Sequence, residues 1–393
     1  NLEVSAAGKL IVQVFKTMAD PFVGKLTYFR VFSGTISSDS RVFNVDKGEE
    51  ERLGQLFVVR GKAQEPVVQL GAGDIGAVAK LSDTGTGDTL CAKDAPIILP
   101  GISFPLPAFA AAVYPKTKAD LDKMGQAMQR LAEEDPTLRV RRDSDTAETI
   151  IEGMGESHVD VAVERMKRKF GAEVILQVPK VPYKETILKK VEAHHRHKKQ
   201  TGGHGQFGEV YIRLEPLPRG SNKIEFAEEV VGGAVPKNFI PAVEKGVIEA
   251  SLEGVLAGFP LTDMRAVLYD GKYHDVDSSA LAFEICARGA MREGAQKAGI
   301  KLLEPIMKVE VVSPEEYLGD VIGDMNSRRG QIQGTDSRGN AQVVEAMVPL
   351  ANMFGYVNQL RSFTQGRANY SMFFSHYDEV PANVAAEVKE KLA

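Results

Sequence analysis

Cysteine is nearly absent: Cys91 and Cys286 are the only two in 393 residues, and they form no CxxC pair. That usage signals neither a disulfide framework nor a zinc site, and it fits a reducing, cytosolic setting. Long apolar runs are missing too. No stretch approaches the roughly 18 residues needed to cross a bilayer, and NLEVSAAGKLIVQV lacks the basic region, apolar core and cleavage site of a secretory leader. Positive charge is not in excess. A net charge of −5 and a pI near 5.9 exclude nucleic-acid binding over the whole surface, so any RNA contact must be local. Neither GxxxxGK[ST] nor NKxD occurs, which leaves the chain as given no P-loop route to a nucleotide. The GTGD at 85–88 is followed by no Lys-Ser or Lys-Thr, and the DxxG match at Asp320 to Gly323 falls within a helical pattern. An initiator Met is also lacking. A chain that begins in strand-like sequence reads as a fragment whose upstream part was removed.

What is present suits several cores: 43% hydrophobic residues in a chain long enough for about two to four domains. From Lys9 to Cys91, short β-branched and aromatic runs (LIVQVFK, GKLTYFRVFSG, RVFNVD, GQLFVVRG, DIGAVAKL, DTLCA) alternate with glycine-bearing turns, the pattern of a β-barrel or sandwich. Prolines at 100, 105 and 107 form a linker. The period then changes: a strand over Phe109 to Tyr114, a helix from about Thr117 to Pro136 with Leu121, Met124, Met128 and Leu131 on one side, two strands, a helix over Glu156 to Lys169, and a last strand. This is the βαββαβ order of a ferredoxin-like plait. The same order returns from IMKVEVVS to RANYSMFF. Between the plaits lies an α+β segment with a strand KETILKKVEA, a loop, a strand EVYIRLEPL, a helix near Pro241 to Leu252, a strand MRAVLYDG and a helix from about Ser278 to Lys297.

The loop in that segment carries the most chemistry. His194 to Gly208, HHRHKKQTGGHGQFG, joins a basic run (Arg196, Lys198, Lys199) to Gly202, Gly203, Gly205 and Gly208, set with Gln200, Thr201, His204 and Gln206, and no acid interrupts it. Glycine lets backbone amides approach an anion closely while lysine and arginine attract it, which suits a phosphate backbone. A solvated hairpin turn explains the composition equally well. A second connector, Tyr269 to Asp277, leaves a strand and enters a helix capped by Asp277 or Ser278. If the two loops share one end of the domain, they form a polar tip that exposes His204, Lys272, Tyr273 and His274. Metal binding by His194, His195, His197 and His204 is disfavoured, because no thiol accompanies them and the interleaved Arg and Lys repel a cation. His274 with Asp275 and Asp277 resembles an acid/base cluster but reads more simply as a helix cap with its neighbours. Lys167 to Lys169, and the pair Arg328 and Arg329, read either as solvated helix ends or as RNA contacts.

Long motifs carry a resemblance to bacterial elongation factor G, a translational GTPase. They are KTMADPFVGKLTYFRVFSG; PKTKADLDKMGQAMQRLAEEDPTLRV and IIEGMGESHVD; KQTGGHGQFG, GGAVPKNFIPAVEKG and LYDGKYHDVDSSALAF; and LEPIMKVEVVSPEEYLGDVIGDMNSRRGQI with MFGYVNQLRSFTQGRANYSMFF. The resemblance implies a multidomain β and α+β chain: a β-barrel (1–98), a ferredoxin-like plait (99–179), an α+β arm with tip loops (180–303) and a second plait (304–393). The GTP-binding domain, with its GTP and Mg, would be absent, so no cofactor, metal or catalytic residue is expected here. The implied role is GTP-dependent translocation of tRNA and mRNA by a monomer that binds the ribosome through rRNA of both subunits and ribosomal proteins, without a membrane. A paralogue acting in ribosome recycling or rescue, or a stand-alone RNA-binding adaptor, is the alternative. Carried over by motif, the RNA-facing tip is Gln200, Gly202, Gly203, His204, Gly205 and Gln206 with Lys272, Tyr273 and His274, and Arg196, Lys198, Lys199, Arg328 and Arg329 are candidate rRNA contacts. His274 stands where archaeal and eukaryotic relatives carry a modified histidine. The sequence departs from main-line members at His204 (usually Arg), at Phe207 (usually Tyr) and in GESHVD at 155–160 (usually GELHLE), and HRHKKQ resembles the paralogous second type.

Overall fold

The computed structural model describes residues 4–20, 24–199 and 205–391. Two compact units divide the chain: Asn1–Lys180 with Phe354–Ser362, and Val181–Met353 with Phe363–Ala393.

In the first unit, an eight-stranded antiparallel sheet runs in the order Glu49–Arg52, Arg41–Asn44, Thr89–Cys91, Ile11–Asp20, Gly24–Ser33, Ile75–Ala79, Leu56–Arg60, Ala63–Val67. A ribbon of Thr35–Ser37 and Gln69–Gly71 adds Ile36 and Leu70 to the same core as Val12, Phe29, Val31 and Leu90. Alternation along Gly24–Ser33 sends Phe29 and Val31 into that core and leaves Arg30 exposed. The plait follows. Its sheet order, Arg139–Arg142, Thr149–Gly153, Phe109–Pro115, Val174–Gln177, is the one that βαββαβ connectivity produces in a ferredoxin-like fold. Its helices Lys118–Glu134 and Glu156–Phe170 pack Met124, Ala127, Met128, Leu131, Val159 and Met166 onto one sheet face. Leu121 is not among them. It is exposed, because the buried stripe runs through Asp120, whose carboxylate accepts from the Thr117 and Glu173 backbone N–H groups. The segment Phe354–Ser362 joins this unit: Asn358 donates to Glu156 at 2.6 Å, and Arg361 donates to the Met154 carbonyl at 2.9 Å.

In the second unit, the arm holds a four-stranded sheet in the order Val191–Lys199, Gln206–Pro216, Met264–Lys272, Ile224–Glu228, the last pair parallel. Helices Ile240–Glu253 and Ala280–Ala298 bury Val243, Val247, Phe283, Ala287 and Met291 with Val210, Ile212 and Leu214 of the sheet. The run KETILKKVEA is two strands. Lys184–Ile187 pairs with the start of the long strand Ile300–Pro314, whereas Val191 onward belongs to the arm sheet. Strand Ile300–Pro314 is continuous across the expected 303/304 junction and then pairs with Ala341–Pro349 and Asn369–Glu379, with Gln331–Arg338 outside Ala341–Pro349. Strand Ile224–Glu228 and helix Ala382–Glu390 add to the expected elements. Asp320 and Gly323 lie inside helix Leu318–Ser327. Among the described residues, no helix is long and apolar enough to cross a membrane.

Candidate nucleic-acid interface

The basic tract ahead of the glycines is strand rather than loop. His194 to Lys199 completes Val191–Lys199, and Gln206 to Gly208 opens its partner, with Lys199 opposite Gln206. A period of two explains why. Ala193, His195 and His197 face helix Ala280–Ala298, while His194, Arg196 and Lys198 face solvent, so the tract has one packed side despite its charge. Small residues on the helix make room. A Cβ at Gly289 would stand 2.5 Å from the His195 ring, and one at Gly294 would stand 2.9 Å from Ala193.

Cys286 fastens the hairpin to that helix. Its thiol donates to the Gly208 carbonyl at 2.8 Å and accepts from the His197 backbone N–H at 3.2 Å. Burial pushes the thiol up to about 11, so it stays protonated as a donor. Gly208 is tightly enclosed, since a Cβ would meet the Ala282 carbonyl and the Cys286 sulfur at 3.2 Å.

The second connector comes to the same end of the sheet. Asp277 accepts from the Gly205 N–H at 3.0 Å through Oδ1, and its carbonyl accepts from the Phe207 N–H at 2.9 Å. A Cβ at Gly205 would stand 2.9 Å from the Asp277 carboxyl carbon. Ser278 ties the two loops again: its Oγ accepts from the His274 N–H at 2.8 Å and donates to the Phe207 carbonyl at 2.9 Å. The helix cap is therefore neither Asp277 nor Ser278 but Ser279, which accepts from the Ala282 N–H. Once Asp277 and Ser278 bridge the loops, the next hydroxyl is left to satisfy the open helix end. His274 Nδ1 accepts from the Val276 and Asp277 N–H groups at 3.3 and 3.2 Å, which leaves Nε2 to carry the ring proton of the neutral form. Its side chain and those of Lys272 and Tyr273 are exposed.

Gly205, Gln206, Lys272, Tyr273 and His274 are thus brought together. Gln200, Gly202, Gly203 and His204 lie outside the described residues. Of the candidate rRNA contacts, Lys198 and Lys199 are exposed on the hairpin, and the Arg196 guanidinium lies 5.3 Å from the Phe207 ring centre. Arg328 and Arg329 sit apart, in the last plait, on internal partners. Arg328 donates to Asp324 at 2.8 Å and to the Asn352 carbonyl at 2.7 Å, and Arg329 forks onto the buried Glu304 carboxylate. The histidines diverge as well: His194 meets Glu209, His195 meets Glu293 and His197 meets Gln206. No group of three or more His, Cys, Asp or Glu able to hold a metal occurs among the described residues.

Glu209 was not singled out by sequence. Its side chain is 6% exposed, and its carboxylate meets His194 Nε2 at 2.9 Å, the Tyr211 hydroxyl at 3.0 Å and Lys272 at 3.9 Å. Burial alone would raise this carboxyl, but the His194 and Tyr211 hydrogen bonds and the Lys272 charge outweigh it and hold it below the usual glutamate range. The signal was its central place in an otherwise cationic cross-strand row.

A β-barrel, a plait, an arm ending in two stapled loops and a second plait define a multidomain protein of the translation-factor type. Comparison with known families agrees along nearly the whole chain. Models of elongation factor G domain 2, domain III, domain IV and the C-terminus match residues 9–93, 104–178, 179–299 and 301–388 respectively. A crystal structure of a protein from Thermus thermophilus superposes with a TM-score of 0.84 at 39% identity, covering 98% of this chain. This chain spans 58% of that protein's length. The chain belongs to the elongation factor G family.

Proposed function

We propose that the chain is the ribosome-engaging part of a translation elongation factor whose full-length form promotes GTP-dependent movement of tRNA and mRNA. The observation that carries the reading is the stapled tip, in which Asp277 and Ser278 hold the hairpin end against the loop bearing Lys272, Tyr273 and His274. At the end of the sheet, the connector bearing Lys272, Tyr273 and His274 presents a cation and donors to an RNA site, and no covalent chemistry is required of it. Binding energy at the tip would favour the moved state of the tRNA, and hydrolysis in a GTP-binding domain outside this chain would give the step its direction. The parent's GTP and Mg, and the rRNA of both subunits, ribosomal proteins, tRNA and mRNA as partners, belong to this proposal, as does a monomeric state. A role in recycling or rescue uses the same surfaces.

Directed hydroxyl-radical probing tests it. Cys91 and Cys286 are buried, so Tyr273→Cys in the full-length factor, with any accessible cysteine outside this chain replaced, supplies a selectively labelled thiol at the tip. Cleavage of small-subunit RNA at the decoding region is the expected result. Cleavage elsewhere on the ribosome, or none in a complex that still sediments, would overturn the placement.

A further inference from the structure

The helices cover only one face of the arm sheet, and the opposite face, below the tip, has a composition of its own. Cross-strand rows set Lys198 opposite Phe207, Arg196 beside Glu209 and Lys272, and His194 beside Tyr211 and Asp270. Two preformed stacks stand on it. The His194 ring lies on Tyr211 with centroids 4.3 Å apart and planes at 27°, and the Arg196 guanidinium lies 5.3 Å from the centre of Phe207. The outer members remain accessible, with side-chain exposures of 44% for His194 and 52% for Arg196.

Charge selects the partner. In the two rows nearest the tip, three fixed cations (Lys198, Arg196 and Lys272) face one carboxylate, Glu209, which is buried and already hydrogen-bonded to His194 and Tyr211. Asp270, in the row of the His194–Tyr211 stack, and the exposed Glu192 lie one and two rows further from the tip, so the excess of positive charge surrounds the Arg196–Phe207 stack and borders the other. Planar cationic and aromatic groups beside lysines are what unpaired nucleotides use: bases stack on arginine and histidine planes while phosphates meet the lysines. A protein partner would need an acidic surface to match the same excess of positive charge.

We infer that this face is a single-stranded RNA platform, separate from the tip loops, on which unpaired bases stack against His194 and Arg196 with Lys198 and Lys272 flanking the backbone. The inference extends the RNA-binding reading of the arm and rests on it, but its test does not use the ribosome. The 393-residue chain is titrated with a fluorescent adenosine-rich RNA of about ten unpaired nucleotides at low salt, and bound RNA is photocrosslinked and mapped. Crosslinks in the peptides spanning 191–199 or 206–216 are expected, with about a tenfold loss of affinity for His194→Ala combined with Arg196→Ala. Arg196→Lys separates stacking from charge: it should lose affinity while keeping the salt dependence of the unmodified chain. No binding by the unmodified chain, equal binding by the double variant, or full affinity in Arg196→Lys would overturn the platform. If His274→Ala weakens binding while the double variant does not, the platform fails and the tip reading stands. A failed Tyr273→Cys probing experiment with these variants behaving as expected would sink the ribosomal placement alone.

Discussion

The arm hairpin and the turn after helix Leu318–Ser327 both present adjacent cations in sequence, yet the structure uses them in opposite ways. On the hairpin, Arg196 and Lys198 stay at the surface because the strand's other side carries the packing through Ala193, His195 and His197, and Lys199 is exposed at the strand's end. In the last plait, Arg328 and Arg329 turn inward onto Asp324, the Asn352 carbonyl and Glu304. Arg329 sits at a φ of 61°, a left-handed position that aims its guanidinium at a carboxylate only 2% exposed. A run of basic residues thus stays free at the surface where another side of the same element supplies the burial.

The largest effect that can break this contrast is Arg329→Ala. It leaves the Glu304 carboxylate buried without its guanidinium and should cost about 3 kcal/mol, read as a lower urea midpoint for the last plait. RNA affinity should be unchanged; a variant of normal stability that lost RNA binding would reverse the assignment. A smaller change is expected from Ser278→Ala, which removes the hydroxyl joining His274 and Phe207 and should cost about 1 to 2 kcal/mol locally. Amide exchange at His274 should accelerate with global stability nearly intact, and unaltered exchange would mean the staple is idle.

The smallest effect concerns pH. The folded Glu209 carboxyl titrates below its usual 4.5, so the stability it contributes is fully present above that value and is lost as pH falls through the depressed one. As pH falls below 4.5, the melting temperature of the arm should therefore drop more steeply in the unmodified chain than in Glu209→Gln. Parallel curves would show that the carboxylate is not held by the His194 and Tyr211 hydrogen bonds and the Lys272 charge.

How far the sequence reaches differs between the same two regions. The helices of the first plait were legible, since Met124, Met128 and Leu131 recur at helical spacing, whereas in the barrel six runs were legible but the short strands Thr35–Ser37, Glu49–Arg52, Ala63–Val67 and Gln69–Gly71 were not, and the mixed faces of Gly24–Ser33 hid its inward side. Periodicity could not place Leu121, which sits at the edge of the stripe where capping Asp120 takes the buried position. The hairpin tract looked like loop because its composition is that of a loop, although His195 and His197 keep an inward register. Strand Ile224–Glu228 escaped because five residues of alternation are short and its partner is parallel and distant. Convergence of the two tip loops was only a condition in sequence, for sequence carries no distances. The staples Asp277 and Ser278 looked like caps because the residue types that bridge loops are those that cap helices.

Single-round translocation with the full-length factor tests the central claim most directly. His274→Ala should slow tRNA movement by about tenfold or more while ribosome affinity stays within about threefold, because one tip contact is small beside the summed contacts of several domains but acts where movement occurs. Equal losses in movement and binding, or movement at the normal rate, would contradict the account.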